Sequence, residues 1–193
     1  MATKAATTKE TTKKSTANPA ETKAAAAKPA APKKADPAPP GLKEGDVAPA
    51  FELPGAGGES VSIEALKGKK IVLYFYPKDD TSGCTREAIE FNGLRDKFAK
   101  AKTVVVGMSP DSVKSHDKFR EKYELAFPLA SDETKETLTA YGVWAEKSMY
   151  GRKYMGVERT TFLIGVDGRI ARIWRKVKVP DHAEEVLEAA KAL

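Results

Sequence analysis

The sequence predicts an α/β three-layer sandwich, a central mixed β-sheet flanked by helices. Three observations carry this. Two near-continuous apolar runs, Ile71–Tyr76 and Thr103–Met108, have the composition of strands buried on both faces. Segments with helical apolar spacing alternate with these runs, which is the pattern of a parallel sheet with helical crossovers. Near the C-terminus, Thr160–Val166, the tight turn Asp167-Gly168 and Ile170–Trp174 read as a hairpin, so part of the sheet is antiparallel.

The predicted domain does not take in the whole chain. Residues 2–41 contain no Ile, Leu, Val, Phe, Tyr or Trp, and Ala, Lys, Thr and Pro make up 34 of the first 41 residues. Such a stretch cannot bury enough apolar surface to offset the entropy of ordering. Residues 1–41 are therefore expected to be a disordered Lys/Ala/Pro/Thr-rich tail, and 42–193 a single domain. Eight Lys of the tail against Glu10, Glu21 and Asp36 account for +5 of the formal net charge of +6. The domain itself is near neutral, which argues against a nucleic-acid grip by the domain. The tail reads either as a solvated linker or as an arm making weak, salt-sensitive contact with a polyanion such as DNA.

Targeting signals are not apparent. No run approaches the ~18 apolar residues of a membrane span, and the N-terminus lacks the apolar core of a secretory signal. Cys84 is the only cysteine, so no internal disulfide is available and a reducing, cytoplasmic setting is expected.

Taken in order, residues 45–63 read as a short strand, a Gly-rich turn and a short strand, with Phe51, Leu53, Val61 and Ile63 alternating. A turn of helix over Ser62–Leu66 precedes the strand Ile71–Tyr76. From Cys84 to about Lys100, Ala88, Phe91, Leu94 and Phe98 recur at helical spacing. After Thr103–Met108, Ser109-Pro110-Asp111 reads as a helix start, with Ser as N-cap and Pro in the first turn. That helix carries Val113, His116, Phe119 and Tyr123 along one side. Phe127–Ala130 reads as a strand, Ser131–Tyr141 as a helix closed by Gly142, and Val143–Glu158 as a loop rich in aromatic and basic residues. After the hairpin, Asp181 and Glu184 form a capping box for a last helix with Ala183, Val186, Leu187 and Ala190 on one face.

The chemistry concentrates at KIVLYFYPKDDTSGCTRE, residues 70–87. A lone cysteine is often an apolar filler. Cys84, however, lies beside Gly83 in a polar loop, opens a helix and has Lys78 and Arg86 nearby. A helix N-terminus and nearby cations both stabilise a thiolate over a thiol. His116 and His182 have no ligand spacing to each other or to Cys84. The sequence has no phosphate loop, dinucleotide fingerprint, Ser-His-Asp arrangement or C-x-x-C pair.

Pro77 to Cys84 matches Pro-x-x-x-Thr-x-x-Cys, the signature of the peroxiredoxins. The string YPKDDTSGCTREA resembles the bacterioferritin-comigratory, or peroxiredoxin Q, branch, and GMSPDSVKSHDKF, FPLASDE, YGVW and ERTTFLI match that branch in the same order. The resemblance runs from about Gly41 to the C-terminus. It implies a thioredoxin-like fold and a thiol-dependent peroxidase, acting without a bound cofactor on hydrogen peroxide and organic hydroperoxides in antioxidant defence.

The resemblance also implies roles. Cys84 is the peroxide-attacking thiolate, and Arg159 is the active-site arginine that holds its charge and that developing on the peroxide oxygens. Thr81 hydrogen-bonds the sulfur and the incoming peroxide, and Pro77 shields the pocket. Glu87, one helical turn after Cys84, matches a position that orients the arginine. Read singly, Thr81 equally suits a turn cap, Pro77 a strand end, and Arg159 a surface pair with Glu158 or Asp167.

Two positions depart from the branch. Many members carry a resolving cysteine five residues after the first, where this chain has Ile89; Ser82 stands where the branch often has Pro, so a more flexible loop is expected. With no second thiol, the Cys84 sulfenic acid must be resolved from outside by thioredoxin, glutaredoxin or a small thiol. The expected partners are thus a hydroperoxide and an external thiol, with no membrane, and the protein is expected to be a monomer or dimer. A redox-sensing or thiol–disulfide exchange protein, with the tail as tether, is the alternative. The aromatic and basic stretch 143–158 is either a docking place for reductant or larger hydroperoxide, or a loop packing its own aromatics.

Overall fold

The computed structural model describes residues 41–149 and 151–193. The predicted tail, apart from Gly41, lies outside the described residues. The elements follow in order: β1 (Glu52–Pro54), β2 (Ser60–Ser62), β3 (Lys70–Phe75), α1 (Ser82–Gly93), α2 (Arg95–Lys100), β4 (Thr103–Ser109), α3 (Val113–Lys122), β5 (Leu129–Ser131), α4 (Glu136–Ala140), β6 (Trp144–Met149), β7 (Arg152–Val157), β8 (Thr160–Ile164), β9 (Ile170–Arg175) and α5 (His182–Ala192).

The central sheet has the order β5-β4-β3-β8-β9. β3, β4 and β5 run parallel, whereas β8 pairs antiparallel with β3 and with β9. The mixed sheet is therefore as expected. β3 is its centre, and alternate residues of β3 feed two cores. Val72 and Tyr74 pack with Ala88, Phe91 and Phe98 of α1 and α2, Phe119 of α3, and Val186 and Leu187 of α5. Ile71, Leu73 and Phe75 pack with Phe51, Leu138, Tyr141 and Phe162 on the other face. A strand covered on both faces needs apolar residues at even and odd positions alike, which is why the run is continuous. Gly107 of β4 lies opposite Tyr74 of β3, and a Cβ there would come within 2.8 Å of the Tyr74 hydroxyl. Only glycine leaves room for that ring.

Several local expectations are corrected. The helix predicted over 84–100 starts at Ser82 and breaks at Leu94 (φ −98°, ψ 1°), so α1 and α2 are separate. The apolar spacing continues across the break because both helices cover the same sheet face. α3 is capped by Ser112, whose Oγ accepts from the Ser115 N–H, and not by Ser109, which is the last residue of β4. The predicted helix 131–141 shrinks to Glu136–Ala140. Its first residues form a turn around the Asp132 carboxylate, which accepts from Thr134 Oγ1 and from the Leu138 N–H.

Asp181 does not form a capping box. It is left-handed (φ 63°), away from the extended form a capping residue needs, and makes no side-chain cap bond. The stretch predicted as a loop over 143–158 is a hairpin, with β6 and β7 paired from Trp144↔Val157 to Met149↔Arg152.

Candidate active site

The site forms at the C-terminal end of β3. This strand ends at Phe75, and the segment Pro77–Thr81 leads into α1, which places Cys84 third in the helix. Thr81 is the N-cap, with extended backbone, and its carbonyl accepts from the Thr85 N–H at 2.8 Å. No side chain caps the helix start. The N–H groups of the first turn are therefore left without a side-chain acceptor at the helix end that carries Cys84.

The partner strand brings the cation. β8 runs antiparallel to β3 with Phe75 opposite Thr160, so Arg159, just before β8, arrives beside the end of β3. Its backbone carbonyl accepts from the Val177 N–H at 3.0 Å, which fixes the residue at its base. Nη2 donates to Cys84 Sγ at 3.1 Å, and Nη1 of the same guanidinium donates to Glu87 Oε2. Gly83 lies against the same guanidinium, and a Cβ on residue 83 would lie 3.4 Å from Nη2.

The electrostatics follow from burial. Cys84 is 2% exposed and Glu87 1%. Burial pushes the Glu87 carboxyl up to about 7, and the adjacent Arg159 charge opposes that rise. Glu87 Oε1 and the Tyr74 hydroxyl are both buried without a hydrogen-bond partner among the described residues. For Arg159, burial alone would lower the pKa, but Glu87 and Cys84 outweigh it and the net direction is up. The cation is permanent, aimed at sulfur with one nitrogen and held by a carboxylate with another.

The structure thus brings together Cys84, Arg159 and Glu87. Pro77 is half-buried in the connecting segment. Thr81 differs from expectation: its hydroxyl donates to the Lys78 carbonyl at 3.1 Å and not to the sulfur. With its proton committed there, the Thr81 oxygen is left as an acceptor. The ion pair of Arg159 with Glu87 also excludes the surface pairing with Glu158 or Asp167 as its main contact.

Sequence reasoning did not place Lys147 near the site. Its Nζ donates to the Val157 carbonyl, two residues before Arg159. Burial draws its pKa down, and Glu158, Arg159 and Cys84 all act on its charge. No periodicity in the sequence marks this approach, because the hairpin that makes it reads as a loop. Among the described residues no group of three or more His, Cys, Asp or Glu is placed to hold a metal ion, and no helix is long and apolar enough to cross a membrane.

Comparison with known proteins gives a consistent pattern. Residues 45–173 match the AhpC/TSA family. A putative peroxiredoxin bcp of Coxiella burnetii is 50% identical over 146 residues, covering 76% of this chain and 97% of that protein. Peroxiredoxin Bcp of Bacillus subtilis is 49% identical over 150 residues, covering 78% and 96%. Among solved structures, Xanthomonas campestris peroxiredoxin Q superposes with a TM-score of 0.71 at 47% identity, covering 74% of this chain and 90% of that one. A second structure of the Xanthomonas campestris protein, described as bacterioferritin comigratory protein in connection with alkyl peroxide reduction, is 46% identical with a TM-score of 0.71, covering 74% and 90%.

Proposed function

Since the chain belongs to the AhpC/TSA family and has the thioredoxin-like peroxiredoxin fold, we propose that it is a thiol-dependent peroxidase in which Cys84 attacks hydrogen peroxide and organic hydroperoxides. The observation that carries this is the contact of Arg159 Nη2 with Cys84 Sγ at 3.1 Å. The Cys84 thiolate attacks one peroxide oxygen, an S–O bond forms, the O–O bond breaks, and the other oxygen leaves with the bonding pair and takes up a proton. Cys84 becomes a sulfenic acid. Arg159 stabilises charge on sulfur and then on the leaving oxygen, and Glu87 orients Arg159. Thr81 accepts a hydrogen bond from the peroxide O–H, as its proton-committed hydroxyl allows. Pro77, with no N–H, shields the pocket.

Completion of the cycle needs an external thiol. One thiol attacks the sulfenic sulfur and expels water, and a second releases Cys84 as the mixed disulfide is exchanged. Thioredoxin, glutaredoxin and a small thiol all fit this chemistry, and the β6–β7 hairpin, with Tyr154 and Met155 exposed beside basic residues, is where the reductant is proposed to dock. The site lies in the domain 42–193, in a cytoplasmic setting. The tail 1–41 is dispensable for chemistry and makes at most weak polyanion contact.

The test is single-turnover oxidation. One equivalent of peroxide should be consumed per chain far faster than by free cysteine, Cys84→Ser should abolish it, and dithiothreitol should restore turnover. Reaction no faster than free cysteine would overturn the reading. A reductant panel and a low-salt gel shift of full-length against Leu42-start protein test the partner and the tail.

A further inference from the structure

We propose that Asp79 and His116 are positioning residues for peroxide reduction, tying the Pro77–Thr81 segment to α3 so that Cys84 is presented in its reactive arrangement. This rests on Cys84 as the attacking sulfur. The segment joins β3 to the helix that carries Cys84, and Lys78, Asp80 and Thr81 in it are exposed. Asp79 alone turns inward, its side chain 4% exposed and that of His116 fully buried. A buried carboxylate is costly unless its partners are complete, and here they are. Oδ2 lies 2.9 Å from His116 Nδ1, and Oδ1 accepts from the Tyr76 hydroxyl at 2.8 Å.

The far side of the imidazole fixes the proton count. His116 Nε2 lies 3.2 Å from the Ala130 carbonyl, which only accepts, so Nε2 carries a proton and donates it. A second proton lies between Oδ2 and Nδ1, and the pair is neutral overall. The backbone is held as well: the Asp79 N–H donates to Asp111 Oδ2 at 2.9 Å, and the same oxygen accepts from Ser109 Oγ at 2.7 Å. The segment is thus fastened to the ends of β4 and β5 and to α3. Next to it, Asp80 (φ 56°) accepts from Lys122 Nζ at 2.8 Å and from the Tyr123 hydroxyl at 2.5 Å. That second tie is exposed, and exposed pairs contribute little. The buried one sets the hold.

The two half-reactions place opposite demands on that hold. Peroxide needs Cys84, Thr81 and Arg159 in fixed register, because misplacement of about 1 Å costs up to about a hundredfold in rate. A thiol attacking sulfur that is 2% exposed needs the loop and first turn around Cys84 to move aside. Weakening the tie should slow oxidation and leave reduction unslowed, which a general loss of stability would not do.

The test uses full-length protein and rapid mixing, with Cys84 oxidation by one equivalent of hydrogen peroxide and reduction of the sulfenic form by dithiothreitol followed separately. Asp79→Asn keeps every bond: its Oδ1 accepts from Tyr76 and its amide donates to neutral His116 Nδ1. It should oxidise within about threefold of wild type, whereas Asp79→Ala should oxidise about tenfold or more slowly with reduction as fast or faster. Tyr76→Phe should fall between them. Oxidation of Asp79→Ala at the wild-type rate, an equal fall in both half-reactions, or Asp79→Asn as slow as Asp79→Ala overturns the proposal. If Asp79→Ala does not fold, Tyr76→Phe decides by the same criteria. A wild-type protein that fails to oxidise faster than free cysteine would instead overturn the peroxidase reading.

Discussion

Arg159 bridges Cys84 and Glu87 with two nitrogens of one guanidinium, Nη2 on the sulfur at 3.1 Å and Nη1 on the carboxylate. A planar fork does this and a point charge does not. Arg159→Ala should therefore slow Cys84 oxidation by about 10²–10³-fold, the usual cost of removing a preorganised donor. Arg159→Lys retains the charge but serves one partner at a time, and should recover only part of the loss, remaining about tenfold or more below wild type. Stopped-flow oxidation with hydrogen peroxide measures both. Oxidation of the alanine variant within about threefold of wild type would remove Arg159 from the chemistry.

Glu87 gives a signed pH dependence. Burial raises its carboxyl from the ordinary 4.5 to about 7, so the folded protein holds a proton that the unfolded chain has released in that window. Its stabilising contribution is full below 4.5 and is lost as pH rises through about 7. His182 runs the other way, since burial lowers it from 6.5 to about 4 and its contribution is lost as pH falls through that range. The two offset each other between their midpoints, so wild-type stability alone does not separate them. The difference between Glu87→Gln and wild type does. Urea melts from about pH 5 to about pH 8 should show the glutamine variant gaining on wild type as pH rises, by up to about 3 kcal/mol. A difference constant with pH would mean that Glu87 titrates alike folded and unfolded.

The legible and illegible parts of this fold separate on physical grounds. β3 was readable because burial on two faces leaves an unbroken apolar run, and Ile71 to Phe75 are all at most 3% exposed. The break at Leu94 was not, because Phe91 and Phe98 bury against the same core with or without a continuous helix. The start of α3 lies later than the Ser109-Pro110-Asp111 signal, because Ser109 pairs with Ser131 in the sheet and Ser112 caps the helix. The β6–β7 hairpin has mostly exposed or half-exposed residues, so no apolar alternation marked its strands. Cys84 stood out by its surroundings. Its partner Arg159 is 75 residues away and is marked only by the family resemblance, and the Asp79–His116 tie has no local signal in the sequence.

Packing behind the site gives a prediction independent of catalysis. A Cβ on residue 107 would lie 2.8 Å from Leu129 Cδ2, 2.8 Å from Tyr74 Oη and 2.9 Å from Tyr74 Cζ, and both side chains are fully buried. The Tyr74 ring cannot withdraw without disturbing Phe91 of α1, which stacks on it with ring centroids 4.9 Å apart. Gly107→Ala should destabilise the domain by about 1–3 kcal/mol. Chemical denaturation checks this, and an unchanged midpoint would mean that the Tyr74 ring moves freely.

The last prediction concerns the missing half of the cycle. Ile89 is 49% exposed on α1 while Cys84 is 2% exposed, and five residues turn roughly 140° round a helix. A thiol introduced by Ile89→Cys therefore faces away from the sulfur as long as the helix is intact. The first turn of α1 has no side-chain cap and is closed by Thr85 N–H donating to the Thr81 carbonyl, so it is the part of the helix with least to lose on unwinding. After one equivalent of peroxide, Ile89→Cys should show no free thiol, a mass lower by two hydrogens and reduced helical dichroism, with no external thiol required. Wild-type protein should remain a sulfenic acid until a thiol is added. Persistence of one free thiol in oxidised Ile89→Cys would mean that α1 stays wound after oxidation, and that a reductant must reach Cys84 with the helix intact.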